Sequence, residues 1–151
     1  RLGFLSFANI DMDQSQYSVL ENKVMGAVRS SISNSSRIAQ SLILKLIKSK
    51  DYAKEKERNY RELESRYHMV KKILGEADVP QTLRALPFNS GYFMSFSCQG
   101  ISAEDLRKEL LEKGIGTISI GEDYLRIAYS NIEASAIEEL YREIFSTASE
   151  L

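Results

Sequence analysis

One cysteine, one histidine, two prolines and no tryptophan occur among 151 residues. Cys98 alone cannot close an internal disulfide, so a reducing, cytoplasmic setting is expected. With His68 as the only imidazole, a zinc site built from the usual ligands is not expected, and no metal ligand is assigned. No apolar run approaches the roughly 20 residues that a membrane-crossing helix needs. Nor does the N-terminus show a charged segment followed by an apolar stretch, as a secretory leader would. An excess of either charge is lacking too: 20 basic residues face 21 acidic ones, for a net charge of -1. That balance offers nucleic acid no basic surface, so neither nucleic acid nor membrane is an expected partner. What remains is 43% hydrophobic and 27% charged, an ordinary globular composition. It is long enough for one domain with a core and short for two. The chain opens Arg1-Leu2-Gly3-Phe4-Leu5 without a methionine, inside what reads as a strand, so a piece of a longer protein is expected.

Residues 2–8 alternate Phe and Leu with small residues and predict a strand. Asn9 to Tyr17 reads as a polar loop. From Ser18, the residues Val19, Leu20, Val24, Val28 and Ile32 recur every three or four positions and predict a helix. The run Ser30–Ser36 breaks it, because short hydroxyl and amide side chains compete for backbone hydrogen bonds. Ile38, Leu42, Leu46 and Ile47 then form one apolar stripe, which Tyr60, Leu63, Tyr67, Val70 and Leu74 continue. The segment 36–74 is either one helix of about 58 Å or two helices meeting near Ser49-Lys50-Asp51, closed by Gly75 as a cap. Such an element reads as a spine joining two lobes.

Pro80 to Pro87 reads as a linker and 91–98 as a strand. Ser102-x-x-Asp105 opens a helix that turns Leu106, Leu110 and Leu111 inward and stops at Gly114. Residues 115–120 and 124–130 predict a hairpin around Gly121-Glu122-Asp123. Ser130-x-x-Glu133 caps a last helix whose buried face carries Ala134, Ile137, Leu140, Tyr141 and Ile144. The expected C-terminal lobe is therefore β-α-β-β-α, an α+β arrangement with helices on one face of a small sheet.

The candidate site is the strand Tyr124-Leu125-Arg126-Ile127-Ala128-Tyr129-Ser130. One guanidinium set among apolar neighbours is partly desolvated, and its planar fork suits a carboxylate or phosphate. Taken alone, the pattern favours an arginine on a solvated sheet face, its stem lying on apolar surface. Lys45, Lys48 and Lys50 read as a solvated helix face, lacking the desolvated pocket that a nucleophilic lysine needs. His68 has no second ligand at a useful spacing, and Cys98 ends a strand with no motif around it. Tyr92 and Phe93, after Asn89-Ser90-Gly91, either line a pocket or belong to the core.

The order of these motifs resembles the C-terminal part of class I/II aminotransferases, the pyridoxal-phosphate enzymes of the aspartate aminotransferase fold type. The motifs are Arg1-x-Gly3-Phe4, a polar loop, a helix, the Ser/Asn break, a long helix, Gly91-Tyr92-Phe93, a capped helix and the Leu125-Arg126-Ile127-Ala128 hairpin. The resemblance implies that 1–35 ends the large cofactor-binding domain, 36–75 is a connecting helix and 76–151 is the small domain. It implies that Arg1 holds the phosphate of pyridoxal 5'-phosphate and that Arg126 clamps the substrate α-carboxylate. It places Tyr92 at the pocket mouth and the Ser33-Asn34-Ser35 break near a neighbouring subunit of a homodimer. The Schiff-base lysine would precede Arg1, since Ser49-Lys50 follows it on a helix; no catalytic residue is then expected within the chain. The implied activity of the parent is transfer of an amino group between an amino acid and a 2-oxo acid, with this piece inert alone. A ferredoxin-like ligand-binding regulatory module, which the lobe misses by one strand, and an interaction protein pairing through the long helix remain as alternatives.

Overall fold

A computed structural model describes residues 3–151; Arg1 and Leu2 lie outside the described residues. The chain forms two compact units, Arg1–Lys54 and Glu55–Leu151.

In the first unit, α1 (Gln14–Ser31) starts at a capping box. The Asp13 carboxylate accepts from the Gln16 N–H at 3.0 Å, and the Gln16 side chain accepts from the Asp13 N–H at 2.9 Å. Satisfying these otherwise orphaned donors moves the helix start four residues ahead of Ser18, where the apolar periodicity begins. The loop before it is tied to the helix by Tyr17, whose phenol donates to the Asn9 carbonyl and accepts from the Asn9 N–H. The expected break stands at 32–36, with Ser33 in the left-handed region at φ 68. Arg29 donates to the Ser33 hydroxyl at 2.6 Å, and Ser36 caps α2 (Arg37–Ile47). The segment 36–74 is thus not one helix. Ser49 accepts from the Asp51 N–H at 3.2 Å, which diverts the backbone from helical pairing, and α3 (Tyr52–Glu76) begins after it. Gly75 lies inside α3 and is not left-handed, so it is no cap. Residues 3–8 form no strand: they have no partner strand to pair with among the described residues, and Phe4 and Leu5 are exposed. A strand is stable only in a ladder. Neither α1 nor α2 buries a side chain fully.

The second unit has one antiparallel sheet in the order β1-β2-β4-β3, built from β1 (Leu83–Ala85), β2 (Met94–Cys98), β3 (Ile118–Ile120) and β4 (Tyr124–Ile127). The expected linker 80–87 therefore contains a strand, with Leu83 opposite Cys98 and Ala85 opposite Phe96. It is this N-terminal strand that supplies the fourth position in the sheet. Ser102 caps α4 (Ala103–Glu112), accepting from the Asp105 N–H at 3.2 Å. Gly114 at φ 78 ends that helix as expected, its left-handed turn being open to glycine without a Cβ penalty. Ser130 does not cap the last helix. It sits in a 3-10 turn (Tyr129–Asn131), a second turn (Ala134–Ala136) follows, and α5 (Ile137–Glu150) starts without a side-chain cap.

The pleat sends Met94, Phe96, Cys98, Leu125 and Ile127 to one face of the sheet. There they meet Val70 of α3, Leu106 and Leu110 of α4, and Ile137, Tyr141 and Ile144 of α5. Each such aliphatic side chain contributes about 1.5–3 kcal/mol on burial. Phe96, Tyr141 and Phe145 pack edge to face at 6.0–6.4 Å between centroids, the arrangement that aromatic quadrupoles favour. Leu111 and Ala134, expected inward, are exposed, because α4 and α5 each turn only one stripe to the sheet.

Candidate functional site

The same pleat carries Arg126 to the opposite, uncovered face of the sheet. It stands in the middle row, with Ser95 of β2 across on one side and Ile118 of β3 on the other. Phe93, just before β2, completes the setting: the guanidinium carbon lies 4.8 Å from its ring centroid. The Nε atom of Arg126 is buried and has no hydrogen-bond partner, and no described carboxylate pairs with the side chain. An N–H withdrawn from water and left unpaired is costly, and an anion presenting two oxygens would satisfy it together with a terminal nitrogen.

Tyr92 does not share this setting directly. It is more than half exposed and lines a cleft of about 330 Å³ with Tyr60, Leu63, Tyr67, His68 and Asn89. Its ring packs on Phe93 at 6.4 Å and 70°, so Phe93 stands between Tyr92 and Arg126 in the chain of contacts. Phe93 has a sequence signal only in retrospect: it is two residues before Ser95, hence on the face of Arg126, but the register has to be known first.

The remaining candidates behave as structural residues. Lys45, Lys48 and Lys50 are exposed, as is His68, whose ring lies edge-on to Tyr67 at 5.1 Å. Cys98 is buried in the core, and burial pushes its thiol above the usual range, against the lowering effect of the Leu125 N–H. No group of His, Cys, Asp or Glu among the described residues is arranged to hold a metal. Arg1, to which the family resemblance assigns the cofactor phosphate, lies outside the described residues. All ten lysines of the chain are exposed. Among the described residues, the buried, unpaired Nε of Arg126 is the feature that bears on an anion, and no step through pyridoxal phosphate is derived from them.

No protein-family model matches the sequence, and no curated protein matches it. Solved structures do. An α-aminoadipate aminotransferase, LysN, from Thermus thermophilus, solved with N-(5'-phosphopyridoxyl)-L-leucine, is 22% identical over 89% of this chain with a TM-score of 0.71. An aminotransferase from Anaerococcus prevotii is 19% identical over 91% with a TM-score of 0.68. A kynurenine aminotransferase from Pyrococcus horikoshii is 14% identical over 89% with a TM-score of 0.71. The matches span only 36%, 33% and 35% of those proteins. The 151 residues thus carry the fold of about one third of a pyridoxal-phosphate-dependent aminotransferase.

Proposed function

We propose that the chain is the C-terminal part of a pyridoxal-phosphate-dependent aminotransferase, in which Arg126 clamps the α-carboxylate of the amino-acid and 2-oxo-acid substrates. One observation carries this reading: a guanidinium held over Phe93, its Nε buried and unpaired, on the uncovered face of a sheet whose fold is shared with such enzymes. The parent would be a homodimer, with 1–35 closing its cofactor-binding domain, 36–75 connecting and 76–151 forming the small domain. Arg1 would hold the cofactor phosphate, and the lysine would come from upstream. Tyr92 would stand at the mouth of the pocket. The role of this chain's residues is to bind and orient: Arg126 fixes one end of the substrate, so that the amino group is presented in one geometry.

In the parent enzyme, Arg126→Ala is expected to raise KM for the amino acid steeply, and Arg126→Lys to rescue poorly, since a single ammonium does not replace a planar fork. An unchanged KM in Arg126→Ala would end the assignment. The isolated 151 residues are expected to show no transamination; a measurable rate would contradict the upstream lysine.

A further inference from the structure

Beyond the last paired residues of β2 and β4, Met94 and Ile127, the two chains are still held together. The Tyr129 phenol, fully buried, donates to the Gly91 carbonyl at 2.9 Å. The Ser130 N–H donates to the Tyr92 carbonyl at 3.4 Å, and Arg66 of α3 donates to the Ser130 carbonyl in turn. Gly91 stands at φ 95, a conformation in which its carbonyl faces the phenol and which any side chain would strain. Phe93 is therefore fixed from both sides, by the ladder at Met94 and by these bonds at Gly91 and Tyr92. Without them, the end of β2 would be free to fray, as strand ends with few backbone bonds do.

We infer that Tyr129 is a positioning residue for the carboxylate site: its buried phenol pins Gly91 and so keeps the Phe93 ring under the Arg126 guanidinium. It touches no substrate and acts through Phe93. The inference rests on Arg126 as the carboxylate site, but the pinning itself is a separate, observable property. Burial, together with the neighbouring Tyr67 phenol, raises the Tyr129 hydroxyl above its ordinary range, so it stays protonated and able to donate at physiological pH.

The test uses the full 151-residue chain, labelled with 15N, and reads the Arg126 Nε–H resonance while pyruvate is titrated as the probe. In the unaltered chain this line is expected to be shifted upfield by the Phe93 ring and slow to exchange. Tyr129→Phe removes one oxygen and no packing volume. It is expected to move the line towards the position of a free arginine and to weaken pyruvate binding about fivefold, the worth of one ordinary hydrogen bond. Should Tyr129→Phe not fold, Gly91→Ala keeps the phenol, displaces its acceptor and is expected to move the same line. An unmoved line and unmoved affinity would overturn the inference, while loss of pyruvate binding in Arg126→Gln would show that the site itself stands. Unchanged pyruvate binding in Arg126→Gln would end the carboxylate reading instead, leaving the shift between the unaltered and Tyr129→Phe chains to decide the pinning alone.

Discussion

Arg126 of β4 and Phe93, the residue just before β2, meet guanidinium over ring at 4.8 Å, although 33 positions separate them in the chain. The ring holds the fork in place and supplies a negative face beneath it. Phe93→Leu keeps an apolar platform but loses that attraction. It is expected to weaken carboxylate binding at Arg126 two- to fivefold, in line with a contact of about 0.5–1 kcal/mol, while leaving the melting temperature nearly unchanged because Phe93 is half exposed. Calorimetric titration with a 2-oxo acid checks this; full retention of affinity would mean the ring is a bystander.

Glu104 gives the fold an acid-sensitive tie. Arg107 grips its carboxylate with Nε at 2.8 Å and Nη2 at 2.7 Å, and Ser119 of β3 donates to the same group. These bonds, Arg107 first, hold its pKa down at about 2 against an ordinary 4.5. A carboxyl whose folded pKa is depressed stabilises above its unfolded pKa and loses that contribution as pH falls through the folded one. The tie between α4 and β3 should therefore be complete above about pH 4.5 and gone near pH 2. Chemical denaturation at pH 7 and pH 3 tests it: Glu104→Gln is expected to flatten the difference between the two, and an unchanged difference would remove Glu104 from the account.

Tyr141 points the other way. Its hydroxyl is buried with no partner, and burial drives its phenol well above the ordinary range. A buried hydroxyl without a bond is a liability. Tyr141→Phe keeps the edge-to-face contacts with Phe96 and Phe145 and should stabilise the chain by about 1 kcal/mol. A melting temperature that falls instead would show that the hydroxyl is bonded in solution.

The two units should also differ in hydrogen exchange. No side chain of α1 or α2 is fully buried, whereas β2, β4 and α5 line the core. Helices of 18 and 11 residues whose apolar faces are at most partly buried draw little stability from packing. Their amides are expected to exchange on the order of a hundredfold faster than those of Phe96 and Leu125, measured by exchange with mass spectrometry. Uniform protection along the chain would contradict this.

Much of the second unit was legible in the sequence, because its signals are local. Ser102 and Gly114 bracket α4, and Gly121 at φ 61 turns β3 into β4, each for a reason that lies in one or two residues. The errors came where a partner decides. Leu83-Arg84-Ala85 has no alternation long enough to see and becomes a strand only because β2 pairs with it. Residues 3–8 alternate well and remain unpaired. The capping box at Asp13 and Gln16 was present in the letters, but apolar periodicity pointed further along. For the site, Arg126 stood out as the charge in an apolar strand, whereas Phe93 had to wait for the register that sets Ser95 opposite Arg126.

The two outer strands, β1 and β3, are three residues each, and Pro80 and Pro87 bracket the first. A proline has no N–H to offer, and three residues leave very few free backbone groups along either rim. A further strand laid against this sheet would find few backbone bonds along β1 or β3. Short outer strands of this kind blunt the rims of the sheet, and its broad surfaces are the face where Arg126 stands and the helices packed on the other.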